Sequence, residues 1–266
     1  MRNFRNRLHL YLALRRQRMP STRGTFGWVP GWGFFAVLIV LSRVALATPY
    51  VVPSGSMQPT LLIGDYLLAR PLAYGISTAN LPFGNRLPQG GRLFQRLPRR
   101  GDVIVFRSPA RTDTTFVKRV IGLPGDRIAL SGGRVWLNGR ELAWKDEGPA
   151  REELSDGRTV PAERFTETLP GGTRHLLLKT PDGTPLDDMA EVTIPAGHLF
   201  VMGDNRDNSA DSRVPQAEGG VGLLPLWNLQ GKVMVVTVSR DSVAPLGGVG
   251  DYLASVRPAR FLKWVD

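Results

Sequence analysis

Cysteine does not occur in this chain of 266 residues, and its absence excludes a disulfide framework, a thiol nucleophile and any cysteine-based metal site. Histidine is almost as scarce. His9 precedes the one long apolar run, while His175 falls in an acidic, turn-rich segment and His198 at the head of a strand-like run, where both read as structural. No His-Glu metal motif is present, and neither a metal nor another cofactor is expected. Carboxylates are missing from the front of the chain. Residues 1–101 hold fourteen arginines against one acid, Asp65, which places the whole formal excess of +11 there. A nucleic-acid arm is one meaning of such an excess, but no helix-turn-helix pattern or aromatic RNA-binding strand accompanies it, and no nucleic-acid partner is expected. Asp204, Asp207 and Asp211 are calcium ligands by type, yet their spacing departs from the EF-hand pattern and two arginines sit among them.

Long apolar runs are lacking too, apart from one. Residues 28–47 form a stretch of twenty, which at ~1.5 Å per residue spans roughly 30 Å, the thickness of a bilayer's hydrocarbon core. Trp28 and Trp32 suit the headgroup level, and Arg43 lies where it could snorkel. Arginines before the run and none immediately after it predict a cytoplasmic N-terminus, with everything from Thr48 onward outside. Ala45-Leu46-Ala47 has the small-x-small form of a signal-peptide cleavage site. Residues 1–27 are long for a signal-peptide n-region, so a retained transmembrane helix is the favoured reading.

Beyond the run, 42% apolar residues can fill a core, and 30 glycines with 21 prolines favour many turns and short strands over long helices. The fold class expected is mainly β. Leu61–Ala69 reads as a hairpin about Gly64-Asp65, and 71–100, rich in Pro, Gly and Arg, as an exposed insertion that is either a solvated loop or a contact for anionic headgroups. Asp102–Arg107 and Phe116–Gly122 read as buried strands, and alternation in the second predicts that one of Lys118 and Arg119 faces inward and the other outward. Ile128–Leu142 reads as strands meeting at Gly132-Gly133 and turning again at Asn138-Gly139. Residues 143–190 alternate acidic loops with turns around one clear strand, Leu176–Lys179, and carry no visible chemistry. A strand from Gly197 leads into the polar stretch 203–213, where Asp211 and Arg213 suggest a pair; Lys232–Val238 is a last core strand, and Phe261-Leu262-Lys263-Trp264 reads as a membrane-surface contact or as packing, with packing favoured.

Chemistry concentrates directly after the apolar run. Pro53-Ser54-Gly55-Ser56-Met57-Gln58-Pro59-Thr60 puts two hydroxyls around a glycine between prolines, a way to present a nucleophile or simply a loop after an anchor. With no usable histidine, the base must be a lysine, and Lys118 lies in an apolar strand. A lysine ordinarily titrates near ~10.4, and desolvation can lower that by ~3–5. The resulting hypothesis is that Ser56 attacks a peptide carbonyl while neutral Lys118 takes its proton, with the Ser56 N–H and the Ser54 hydroxyl facing the oxyanion.

Three stretches then resemble bacterial signal peptidase I. They are Ser-Gly-Ser-Met-x-Pro-Thr at 54–60, Lys-Arg-Val-Ile-Gly-Leu-Pro-Gly-Asp at 118–126 and Gly-Asp-Asn-Arg-Asp-Asn-Ser-x-Asp-Ser-Arg at 203–213. The resemblance covers about a third of the chain. It implies Ser56 as nucleophile, Lys118 as general base, Ser54 as oxyanion donor and Ser209 as the group that orients the lysine. It further implies that Asp211 pairs with Arg213 to hold the loop and that Phe116 and Met57 line the substrate groove. The fold implied is an antiparallel β catalytic domain with a β-rich insertion, behind one N-terminal transmembrane helix. The chain then divides into a basic N-terminus (1–27), the span (28–47), a first catalytic part (48–142, with the insertion 71–100), a β-rich insertion (143–190) and a second catalytic part (191–266). Implied partners are the signal peptides of preproteins, cut after small-x-small sites, and membrane phospholipid. The implied location is a bacterial cytoplasmic membrane, single-pass, with the catalytic domain periplasmic.

Two departures stand beside the resemblance. Val214–Gly220 replaces the aromatic and glycine residues that many relatives carry after the final arginine, and one span is found where relatives often have two. Three rivals remain: a peptidase dedicated to one substrate such as a conjugative pilin, a self-cleaving repressor, and an inert membrane-anchored binding module. The repressor needs a DNA-binding head and an Ala-Gly type site upstream of the serine, and the sequence has neither. The inert module is disfavoured by intact Ser54, Ser56, Lys118 and Ser209.

Overall fold

A computed structural model of the protein describes residues 31–35, 47–81, 84, 87, 90–241 and 247–265. The chain divides into two compact units, Met1–Ser42 and Arg43–Asp266. In the first, residues 31–35 are helical and exposed. The expected basic N-terminus, and the expected span at 28–30 and 36–46, lie outside the described residues, and among the described residues no helix is long and apolar enough to cross a membrane.

Strands build the second unit. In chain order they are β1 (Thr48–Val51), β2 (Asp65–Arg70), β3 (Val103–Arg107), β4 (Thr115–Gly122), β5 (Arg127–Ser131), β6 (Arg134–Leu137), β7 (Arg140–Glu141) and β8 (Ala143–Glu153). There follow β9 (Thr159–Thr168), β10 (Arg174–Lys179), β11 (Met189–Thr193), β12 (His198–Met202), β13 (Leu224–Pro225), β14 (Leu229–Ser239) and β15 (Lys263–Trp264). The main sheet runs β1-β2-β14-β3-β4-β12-β13, and β15 pairs with β14 past the end of β3. Two smaller sheets run β10-β9-β8 and β11-β5-β6-β7.

The main sheet is covered on both faces, which is why its central strands are apolar runs rather than alternating ones. In β3, Val103 and Val105 join one core with Met57, Leu61, Leu67 and Val233, while Ile104 and Phe106 join another with Val120, Leu199, Val201 and Leu229. A third core, around Ile121, Ile128, Leu137, Phe200 and Met202, seats the four-stranded sheet against the ends of β4 and β12. This double cover corrects the expectation for the adjacent cations. Lys118 and Arg119 do point to opposite faces, but both are buried, at 4% and 1% exposure.

Other local expectations change as well. Leu61–Ile63 is a buried loop rather than a hairpin strand, because the Asp65 carboxylate accepts the Leu62 N–H and β2 pairs with β1 instead. Residues 143–190 contain, besides β10, the long strands β8 and β9, whose charged side chains hide them in the sequence. Gly132 and Gly133 do make the two-residue turn, both at positive φ (55° and 78°), the geometry that favours glycine. Phe261, Leu262 and Trp264 do not pack: β15 touches β14 at only two positions and leaves them 63%, 54% and 72% exposed.

Candidate active site

After β1 the chain passes Pro53 and makes one short 3-10 turn, Gly55–Met57. Met57 anchors that turn from below, buried among Val52, Leu61, Leu67, Val103 and Val105, so that Ser56 is left half-buried above it. Ser54 is exposed and caps the turn without using its hydroxyl. Two neighbours fix the turn from the sides. Asn205 donates its backbone N–H to the Ser56 carbonyl (3.1 Å) and its side-chain amide to the Gly55 carbonyl (3.1 Å). Gln58 pairs its whole amide with the backbone of Glu153 at the end of β8, donating to the carbonyl at 2.7 Å and accepting the N–H at 3.0 Å. A Cβ on Gly55 would run into that Gln58 amide.

The β4 lysine reaches this turn. Lys118 Nζ lies 2.7 Å from Ser56 Oγ and 5.5 Å from the centre of the Phe116 ring. Burial in this apolar strand lowers its pKa to about 8 from 10.5, against the pull of the Asp211 and Asp204 carboxylates. An amine titrating there is partly neutral near physiological pH, and its lone pair can take a proton from the hydroxyl it touches.

The polar stretch after β12 closes the other side. Asp211 and Arg213 form a bidentate pair (2.9 and 2.8 Å), and Asp211 also accepts the Gly203 N–H at 2.9 Å. Burial opposes ionisation of Asp211, but Arg213 and the Gly203 N–H together hold its pKa below the usual carboxylate range. The Ser209 hydroxyl is buried without a well-formed hydrogen bond, and none joins it to Lys118. Its side chain packs instead against Gly203, where a Cβ would collide with both Ser209 and the Ser56 carbonyl. Each acid that is a calcium ligand by type has a cation of its own: Asp204 meets Arg119, Asp207 meets Lys179 and Asp211 meets Arg213.

A groove of about 420 Å³ leads to the serine. Tyr50, Val51 and Val52 form one wall and Thr115, Phe116 and Val117 the other, with Met57 on the lining. Among the described residues β1 is the edge strand of the main sheet, the kind of position to which an extended peptide adds through backbone hydrogen bonds. A second cavity of about 550 Å³, between Glu153, Asp156, Arg158, Asp241 and Arg257, holds charged groups already paired among themselves, and its hydroxyl, that of Thr159, accepts from Arg151.

Residues 25–238 match the family model described as signal peptidase, peptidase S26. The chain belongs to that family of peptidases. Among its relatives, a signal peptidase I of Rickettsia felis is 35% identical over 218 residues, covering 78% of this chain and 79% of its own. A signal peptidase I of Pseudomonas aeruginosa is 38% identical over 221 residues, covering 79% and 72%. A crystal structure of a signal peptidase I from Enterococcus faecalis V583 matches 52% of this chain and 97% of its own, at 23% identity and a TM-score of 0.30, too slight a likeness to argue from.

In this S26 peptidase several residues around the site went unread in the sequence. Arg119 binds Asp204 through two bonds of 2.8 Å, with both side chains buried, directly beside Lys118 and Gly203. His175 bridges the sheets, its Nε2 3.0 Å from Glu167 and its Nδ1 3.4 Å from Asp204. Asn208 donates to Glu152 at 2.6 Å. The segment 143–190 therefore contributes contacts to the site. The one sequence signal available was the adjacency of two cations in an apolar strand, since a buried Arg119 requires an acid partner.

Proposed function

We propose that this chain is a membrane-anchored serine endopeptidase that removes signal peptides from exported preproteins after small-x-small sites. The observation that carries the reading is the 2.7 Å contact between Lys118 Nζ and Ser56 Oγ in a site that lowers the lysine pKa to about 8. Neutral Lys118 accepts the Ser56 proton as Oγ bonds to the scissile carbonyl carbon. The oxyanion that forms is met by the Ser56 N–H and the Ser54 hydroxyl. The lysine ammonium then returns the proton to the departing amine, the C–N bond breaks, and an ester remains on Ser56. Water, losing a proton to the again neutral lysine, attacks that ester; the C–Oγ bond breaks, the ammonium returns its proton to Ser56 Oγ, and the signal peptide leaves with its new carboxylate. Ser209 and the Asp211–Arg213 pair hold the loop behind the lysine, and Phe116 and Met57 shape the groove.

Substrate class follows from the groove and from the family. An extended peptide adds to the open edge of β1, and apolar walls 50–52 and 115–117 leave room for small alternate side chains. The apolar run 28–47 anchors the chain with its arginine-rich residues 1–27 in the cytoplasm, and the short distance to Ser56 keeps the site near the membrane where signal peptides end.

The test is incubation of detergent-solubilised protein with a preprotein. Wild type should release the mature chain, while Ser56→Ala, Lys118→Ala and Lys118→Arg should remain folded and inactive. Turnover retained in both lysine variants sinks the dyad. A panel of preproteins separates a general enzyme from a dedicated one, which would cut a single member.

A further inference from the structure

Among the described residues, every buried acid but one meets an arginine or a lysine in an ion pair. The exception is Glu152. It is 3% exposed near the end of β8, and among the described residues its carboxylate has a single polar contact, the 2.6 Å bond it accepts from the Asn208 side-chain amide. A carboxylate buried without a cation gives up its hydration and recovers only part of that cost from a neutral donor. Stability does not account for it.

Asn208 does. It is exposed and lines the groove beside Ala210, on neither of the two walls. Those walls converge on the dyad, because residues 50–52 lead to Ser54 and Ser56 on one side and residues 115–117 lead to Lys118 on the other. Asn208 comes instead from the polar loop, just after the Asn205 that binds the Ser56 carbonyl, and so stands where a chain leaves past the dyad. A carboxylate only accepts hydrogen bonds, so Glu152 dictates which end of the amide faces it. Nδ2 is held, and Oδ1 has no donor among the described residues. The charge behind Nδ2 also polarises the amide and makes Oδ1 a stronger acceptor.

An acceptor at this end fits a peptide N–H, which every substrate offers whatever its side chains. The scissile nitrogen is needed by the Lys118 ammonium, so the first N–H open to Asn208 is that of the second mature residue. We infer that Glu152 is a positioning residue that aims Asn208 Oδ1 at this N–H and so holds the leaving segment in register with Ser56. The inference rests on the peptidase reading proposed above and deepens it.

The test gives full-length protein in detergent two peptides that share one small-x-small site: a parent, and an ester analogue in which oxygen replaces the N–H of the second mature residue. Wild type should cut the analogue about tenfold more slowly, the worth of one hydrogen bond. Asn208→Ala should cut the parent about tenfold more slowly than wild type does, and should cut the analogue as fast as the parent. Glu152→Leu should behave in the same way while melting no lower than wild type, since it removes a charge buried without a cation. Glu152→Gln keeps an acceptor for Nδ2 and should bring the parent rate back to within about threefold of wild type. Equal rates on the two peptides in wild type overturn the contact. A Glu152→Leu protein that melts lower and loses both peptides in proportion makes Glu152 a prop of the Ser56 turn and overturns its positioning role. A wild-type preference for lysine over glutamine at the second mature residue, lost in Glu152→Gln, overturns it in favour of a direct charge contact. Any of these three results leaves the peptidase reading standing, whereas a parent peptide left uncut by wild type sinks that reading and the inference together.

Discussion

Lys118, at 4% exposure, lacks the water that would stabilise its charged form, and the amine that can act as a base is therefore also a defect in the fold. Two outcomes follow at this residue. The profile of kcat/KM against pH should rise with unit slope, bend near pH 8 and level off above it, because only the unprotonated amine accepts the Ser56 proton. The stability consequence has the opposite bearing. In the unfolded chain the lysine titrates near 10.5 and in the fold near 8, so between these values the unfolded state binds more protons and stability climbs with pH. Below pH 8 the full penalty applies, roughly 3 kcal/mol. Lys118→Met should accordingly abolish turnover while raising the unfolding free energy at pH 7 by up to about that amount, with the gain shrinking toward pH 10. Denaturant unfolding at the two pH values measures it, and an inactive variant that is also destabilised at pH 7 would contradict the burial argument.

At the scale of elements, the turn that carries Ser56 is held by residues from three separate parts of the chain: Met57 in the core below, Asn205 from the polar loop and Glu153 from the end of β8. Gln58→Met keeps the volume and removes both amide bonds, leaving the Glu153 N–H and C=O unpaired at about 1–3 kcal/mol each. We expect kcat to fall about tenfold through misplacement of Ser56, with KM and the pH midpoint little changed because the groove walls and Lys118 stay as they are. Steady-state kinetics over pH decides this, and a shifted midpoint with unchanged kcat would count against it. Gly203→Ala is expected to be harsher. Its methyl meets the Ser209 side chain and the Ser56 carbonyl together, and a displacement of order 1 Å there should lower kcat by about 100-fold. These contacts also mark what the sequence made legible. The β class, the core strands 103–107 and 116–122, and the lysine that lies against Ser56 could be read because apolar runs and hydroxyl-rich turns announce themselves locally. Gln58 and Glu153 could not, since a side-chain amide paired with a backbone 95 positions away leaves no periodic trace. β8 and β9 are illegible for a related reason: strands of eleven and ten residues carried by charged side chains lack the alternation that marks a half-buried strand.

Across the whole second unit, a line of buried charge joins the main sheet to the three-stranded one, running from Arg119 through Asp204, His175 and Glu167 to Arg206. Trp144 closes it by donating its indole N–H to Glu167 at 2.8 Å. Burial disfavours both carboxylates as ions. Arg119 and His175 nevertheless hold Asp204 far below its ordinary 3.8, and Arg206 and His175 hold Glu167 far below its ordinary 4.5. A depressed carboxylate contributes stability that is complete above its unfolded value and is lost as pH falls toward its folded one. The melting temperature should therefore be flat near neutrality and drop steeply below about pH 4.5, with far-ultraviolet dichroism and Trp144 emission changing together because one network spans both sheets. Glu167→Gln strands the Arg206 guanidinium, two of whose nitrogens already lack partners, and should lower stability at pH 7 by about 3–5 kcal/mol. It also removes one of the two depressed carboxylates in this line, so the remaining acid limb should be shallower than in the parent. Two separate transitions, one for each sheet, or an unchanged acid slope in Glu167→Gln, would show that the sheets are coupled by their apolar contacts and that this line of charge is incidental to the coupling.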